Sequence, residues 1–275
     1  GGVVGGGIFA TDAGPQNGGR ATVNLTNTII SSNTANGTAG GLMVQGSLTA
    51  ANLNYATIAA NSADNCGGVC NAGGSVNVKN SIVGDNAGGT TPDIAGAIVS
   101  GDYNHFESTA GATITGTTAH DATGDAMLGP GTLHLPRPAS PVLNTIPSGI
   151  NDCGTSILID QRGAVRPQAG ACDKGAVERV ISASVGGRVL TSDGRGIRGA
   201  VVTLTGGNLS LVAYTGSFGW YYFQDLPGEE TYTLRASARR FEIPPETFLS
   251  LYLIGDRSDL DFVALPGYEL RPSGK

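Results

Sequence analysis

From Ala21 to Gly88 the chain alternates apolar and polar positions in short runs, and the runs repeat. Residues 23–33, 51–61 and 76–86 lie over one another without gaps, at offsets of 28 and 25 residues. Apolar columns follow: Val23/Ala51/Val76, Leu25/Leu53/Val78 and Ile30/Ile58/Val83. Polar residues between them, such as Asn24 and Thr26, give the period of two that buries one face of a strand. Two asparagine columns accompany them, Asn24/Asn52/Asn77 and Asn33/Asn61/Asn86. Stacked asparagines can pass amide hydrogen bonds from one coil to the next, and the Asn33 column is expected at an inward corner. A glycine pair precedes each copy: Gly6-Gly7, Gly40-Gly41 and Gly67-Gly68. A period in the twenties built from short strands marks a solenoid. Nothing recurs at helical spacing, and the runs are rich in Thr, Val, Ile, Asn and Gly. The reading is all-β, a right-handed parallel β-helix over residues 1–178.

The pattern extends outward from these copies. Residues 1–20 read as an incomplete coil with an inserted loop, Asp12 to Arg20. Asp93 to Phe106 reads as a further coil with larger residues. Ala112-Thr113-Ile114 and Leu133-His134-Leu135 are strand-like, and five prolines from Pro130 to Pro147 exclude a long helix. Residues 179–184 read as a linker. Residues 185–264 have the punctuation of a small Ig/transthyretin-like β-sandwich, six or seven short strands between regular turns. A hairpin is expected around Asp193-Gly194, and residues 265–275 form a tail.

Composition narrows the function classes. Glycine supplies 44 of 275 residues, about twice the usual share but without a collagen period. Charged residues make up 14% and the net charge is −6, which argues against a nucleic-acid partner. No apolar run is long enough to span a bilayer. The chain opens inside repeat-like sequence, so a longer native protein is expected. Four cysteines permit three pairings. The sequence-local pairs Cys66–Cys70 and Cys153–Cys172 are expected, since they flank separate loops and disulfides of this kind belong outside the cytoplasm. Metal ligation and free thiols are the alternatives.

Two resemblances enter on specific residues. Cys153, Asp160-Gln161-Arg162-Gly163, Arg166-Pro167 and Cys172-Asp173-Lys174-Gly175-Ala176-Val177-Glu178 resemble the C-terminal end of secreted bacterial β-helix proteins of the choice-of-anchor type. That resemblance covers roughly residues 5–178 and implies no common catalytic activity. Lys174 departs from it, standing where those proteins have an apolar residue. Gly187-Arg188-Val189, Asp193-Gly194, Gly196-Ile197, Gly199-Ala200, Gly219, Tyr221, Phe223, Leu226, Gly228 and Asp261-Phe262 resemble the carboxypeptidase regulatory-like domain, which implies a non-catalytic transthyretin-like sandwich.

Candidate chemistry is sparse. Most acids before residue 126 fall in predicted turns and no two share a column, and no nucleophile elbow, zinc helix or phosphate loop occurs. Arg162 and Arg166 can pair with Asp160, Asp173 or Glu178 as a structural closure of the helix, with a catalytic Asp-Arg-Glu cluster as the sharper alternative. No catalytic residue, metal or cofactor is assigned. Trp220 and Tyr222 alternate with Tyr221 and Phe223 and are candidate ligand or partner contacts, with plain edge packing as the other reading. Val3, Val4 and Ile8 at one end, and Leu265, Tyr268 and Leu270 at the other, are candidate self-assembly residues. The expectation is a non-enzymatic extracellular structural or adhesive surface protein whose partners are itself and surface glycans. A carbohydrate-active or carbohydrate-binding β-helix is the alternative.

Overall fold

The computed structural model describes residues 3–12, 19–168 and 170–266. The chain divides into two compact units, Gly1–Arg179 and Val180–Lys275. Every regular element among the described residues is a strand.

In the first unit the repeats stack in parallel. Ala21–Ser31 pairs with Thr49–Ala59, which pairs in turn with Ser75–Lys79 and Ile82–Gly84. Ile94–Gly101 with His105–Phe106, then Ala112–Thr117 with Ala122–Thr123, continue the stack. A second parallel series runs through Ile8–Thr11, Leu42–Gln45, Val69–Ala72 and the start of Ile94–Gly101. Leu25 faces Leu53 and Leu53 faces Val78, the register expected from the repeat. Ala51, Leu53, Ile58, Val76, Val78, Ile98 and Phe106 form one buried core. Val23 and Leu25 were expected in that core but are only half-buried. Their strand, Ala21–Ser31, pairs on one side alone among the described residues.

The repeated glycines and asparagines have physical causes. A Cβ on Gly41 would lie 2.8 Å from the Gly68 carbonyl oxygen and 3.0 Å from Ile58, so the close approach of stacked segments admits no side chain. Non-glycine residues in the left-handed region also stack, Asn27/Tyr55/Asn80 at one corner and Ser32/Ala60/Asp85 at another. At the inward corner Asn33 donates to Asn61 Oδ1 at 2.9 Å, Asn61 to Asn86 Oδ1 at 3.0 Å, and Asn86 to Asp93 Oδ1 at 3.0 Å. The series ends there because a carboxylate accepts and has no proton to pass on. A parallel series at another corner runs through Ser81 and Asn104 and also ends on an acid, Asp121.

Three expectations for this unit are corrected. Leu133-His134-Leu135 is a turn, and only Pro136 bridges, to Leu128. Cys66 and Cys70 were expected to pin a protruding loop in the turn leading into the third copy, and the segment does not protrude. Both cysteines and the glycines between them are buried, because Gly67 and Gly68 carry the parallel hydrogen bonds of the coil. The segment from Cys153 to Glu178 was expected to close the end of the stack, and instead lies along its side.

In the second unit Ser182–Leu190 lies between Trp220–Pro227, antiparallel, and Phe262–Val263, parallel. A four-stranded antiparallel sheet orders Leu209–Tyr214, Val201–Gly206, Thr231–Ser237 and Phe248–Tyr252. Val185, Val189, Val202, Leu204, Phe223, Tyr232, Leu234 and Phe262 are buried. The strand Ser182–Leu190 begins inside the segment expected to be a linker. The hairpin expected around Asp193-Gly194 does not form, since its two flanking strands enter different sheets. Thr191 closes a local turn there, exchanging hydrogen bonds with Asp193 and Arg195. The reversal is short: Leu190 bridges antiparallel to Gly196, the Ile197 N–H donates to the Val189 carbonyl at 2.8 Å, and a Cβ on Gly196 would collide with the Phe218 backbone.

Candidate functional site

Among the described residues the densest cluster of ionisable side chains sits between residues 142 and 178, a segment that runs as a strap along the stacked parallel strands. Near one end, Asn27 donates to the Ile159 carbonyl at 2.8 Å. Further along, the Ala176 N–H donates to Thr57 Oγ1 at 2.9 Å, and the Gly175 N–H to the Asn80 carbonyl at 2.7 Å. Asn151 donates to the Gly101 carbonyl at 2.9 Å. Lys174 Nζ donates to the carbonyls of Asn104 at 3.0 Å and His120 at 2.9 Å. The same segment therefore touches every rung from Asn27 to His120. Tyr55, Tyr103, Ile146, Cys153 and Cys172 bury an apolar cluster beneath it. The Cys153–Cys172 bridge lies inside that cluster, and the Cys66–Cys70 bridge forms as expected.

Inside the strap, acids and bases bond to one another and to the backbone. Asp160 accepts from Arg162 Nε at 3.0 Å and from the backbone N–H groups of Arg162, Ala164 and Glu178. Arg166 donates to Glu178 at 2.7 Å, to the Asp173 carbonyl at 3.0 Å and to the Gly175 carbonyl at 2.7 Å, with its guanidinium 4.3 Å from the Tyr55 ring centroid. Glu178 also accepts from the N–H groups of Gln168 and Asp173. Arg166 and Glu178 have side-chain exposures of 0% and 0%, so no polymer reaches them. Burial, then the Asp173 charge, push the Glu178 carboxyl up to about 8, against the pull of Arg166. Burial lowers Lys174, offset by Asp121 and Asp102. Lys174 thus spends its charge on main-chain carbonyls at the position where the resemblance has an apolar residue. Lys174 and Arg166 reach the stacked strands, and the other charged side chains of the cluster bond within the segment.

A second titratable pair is more open. His120 Nδ1 lies 2.7 Å from Asp102 Oδ2, and its ring stacks on Tyr103 at 4.4 Å. Burial raises the Asp102 carboxyl, but the hydrogen bonds from His120 outweigh it and the net direction is down. The nearby Ser100 hydroxyl is buried, donates to Asp121 at 2.7 Å and accepts from the Asp102 N–H at 3.0 Å and Asn104 Nδ2 at 2.9 Å. Among the described residues no three His, Cys, Asp or Glu side chains converge as a metal site.

Trp220 and Tyr222 are exposed on one sheet face, at 54% and 51%, with the Arg188 guanidinium 5.3 Å from the Trp220 ring centroid. Tyr221 and Phe223 are buried, as their alternation implies. Ile8 is half-buried and Leu265 is exposed. Val3 and Val4 lie in a strand paired with Gly37–Ala39, and their side chains fall outside the described set, as do Tyr268 and Leu270 entirely. Sequence reasoning missed Tyr55, Asp93, His120 and Asp121. None of them repeats at the coil offset, so no periodic signal marked them.

Comparison with known proteins bears on the second unit. Residues 184–263 match the carboxypeptidase regulatory-like domain. No curated protein matches the chain. Among solved structures, the Bacillus anthracis TIE protein is similar at 13% identity and TM-score 0.28, covering 31% of this chain and 17% of its own. A DUF3823 family protein from Parabacteroides merdae is similar at 15% identity and TM-score 0.25, covering 32% of this chain and 47% of its own. The chain therefore spans less than half the length of either. No helix among the described residues is long and apolar enough to cross a membrane.

Proposed function

We propose that the chain is a non-enzymatic extracellular structural protein. In this reading residues 1–178 form a right-handed parallel β-helix, and residues 185–264 form an Ig/transthyretin-like sandwich that serves as an attachment or display module. The observation that carries it is the strap. Among the described residues, the dense group of acids and bases in the first unit is buried and hydrogen-bonded within the strap, which itself reaches the stacked strands through Lys174, the Arg166–Tyr55 contact and backbone N–H groups. Two disulfides fit an oxidising compartment. Incubation with a panel of neutral and acidic polysaccharides, followed by reducing-end assay, tests it. No release of new ends is expected. Turnover abolished by Asp102→Asn or His120→Ala would replace the scaffold with an enzyme.

Self-association is a second reading, favoured by the Ala21–Ser31 edge. Val23 and Leu25 there are half-buried, whereas their column mates Ala51 and Leu53 are buried. A second copy that covers this edge by strand addition would bury them. Electron microscopy and light scattering at rising concentration should show filaments or dimers, and Leu25→Lys should disperse them. Monodisperse monomers throughout would leave a monomeric stalk.

A further inference from the structure

We propose that the outward face of the stacked coils binds a neutral oligosaccharide laid across the strands. This goes beyond the scaffold reading and does not rest on it.

A groove of about 240 Å³ runs over that face, lined among others by Asn24, Thr26, Asn52, Asn77, Lys79 and Val99. Its floor is the outward amide column. Asn77 Nδ2 donates to Asn52 Oδ1 at 2.9 Å, and Asn52 Nδ2 to Asn24 Oδ1 at 2.8 Å. A side-chain amide carries two N–H protons and two oxygen lone pairs. Each link uses one proton and one lone pair, so the column presents a row of unspent donors and acceptors toward solvent. Their spacing is that of parallel strands, about 4.7–4.9 Å. A hexopyranose chain advances by a similar distance per ring and offers hydroxyls that both donate and accept. An extended peptide advances about 3.3 Å per residue and falls out of step within two rungs.

Charge selects a neutral ligand. Lys79, the cation of the groove, is paired to Asp152 at 2.6 Å. Asp152 is held below the usual carboxylate range, first by the Lys79 hydrogen bond. No counter-charge is left for a uronic acid, and the chain as a whole carries −6. The pair also fixes one wall, because Asn54 donates to the same carboxylate at 3.0 Å. Beyond Asn77 the column continues to Val99, which is 42% exposed. A methyl surface there suits the C–H face of a sugar ring, where a fourth amide would not.

Calorimetric titration of the full chain with cellohexaose, mannohexaose and maltohexaose, and separately with hexagalacturonate, tests the site. Saturable binding of at least one neutral hexasaccharide is expected, with none for the uronate. Asn52→Ala with Asn77→Ala should weaken binding about tenfold or more, since a hydrogen bond is worth on the order of tenfold in affinity. Val99→Glu leaves the amide column in place and should also weaken binding, with circular dichroism confirming the fold of both variants. Trp220→Ala should leave affinity unchanged. Absence of binding by all three neutral sugars overturns the site, as does equal binding of the uronate. Loss of binding with Trp220→Ala alone also overturns it, because the contact would then lie in the second unit. Binding with cleavage would keep the site and remove the scaffold reading, whereas binding without cleavage keeps both.

Discussion

At the scale of single residues, the inward asparagine column does more than its exposed counterpart. Asn61 is 1% exposed and its amide donates to the carbonyls of Ile30 and Ala59 as well as to Asn86. Its own oxygen accepts from the Asn33 backbone and side chain. Asn61→Ala strands several buried groups at once, at about 1–3 kcal/mol each, so denaturant unfolding should show a loss of about 3 kcal/mol or more. Asn52→Ala on the solvent face should cost within about 1 kcal/mol, since water replaces the lost partners. Both columns were legible in the sequence, because asparagine recurs at the coil offsets. The terminal acids were not. Asp93 stands seven positions after Asn86, outside the repeat. The left-handed backbone at Tyr55 and Ala60 was equally hidden, because local propensity speaks against it there.

At the scale of elements, the repeat made the stacked strands readable, and the strap escaped because its contacts follow no period. The motif from Asp160 to Glu178 was visible as a cluster of opposite charges, but sequence order placed it after the coils and suggested an end cap. Its actual course along the side depends on Asn27, Thr57 and Asn80, which read as ordinary coil residues. The failed Asp193-Gly194 hairpin has a similar origin. A turn signal reports a local reversal, and does not tell which sheet the next strand joins.

Two measurements address the strap. Closure of a 19-residue separation by Cys153–Cys172 should stabilise by about 3 kcal/mol, against about 2 kcal/mol for the 4-residue separation of Cys66–Cys70. Paired Cys→Ala variants compared by chemical unfolding should rank in that order, and the reverse order would place the weight on the first bridge. The second measurement is pH dependence. The Glu178 carboxyl is raised from an ordinary value of 4.5 to about 8. A raised carboxyl adds stability that is complete below about 4.5 and is lost as pH climbs through about 8. Thermal unfolding should accordingly fall in Tm across that window, and Glu178→Gln should flatten the fall. A slope unchanged in the variant would assign the dependence to another group.

At the scale of the molecule, two compact units carry different chemistry: stacked parallel strands with a buried, hydrogen-bonded strap, and two mainly antiparallel sheets matching a carboxypeptidase regulatory-like domain. Low charge, two disulfides and hydrogen-bonded acids fit the structural role proposed above. The central claim is that the buried cluster holds the whole stack. Native-state hydrogen exchange followed by mass spectrometry, on the wild type and on Arg166→Met, tests this most directly. The variant is expected to lose protection together in peptides from all rungs, 21–31, 49–59, 75–84, 94–106 and 112–123, because the strap touches each of them. Loss confined to residues 150–178, with the coils as protected as before, would contradict it.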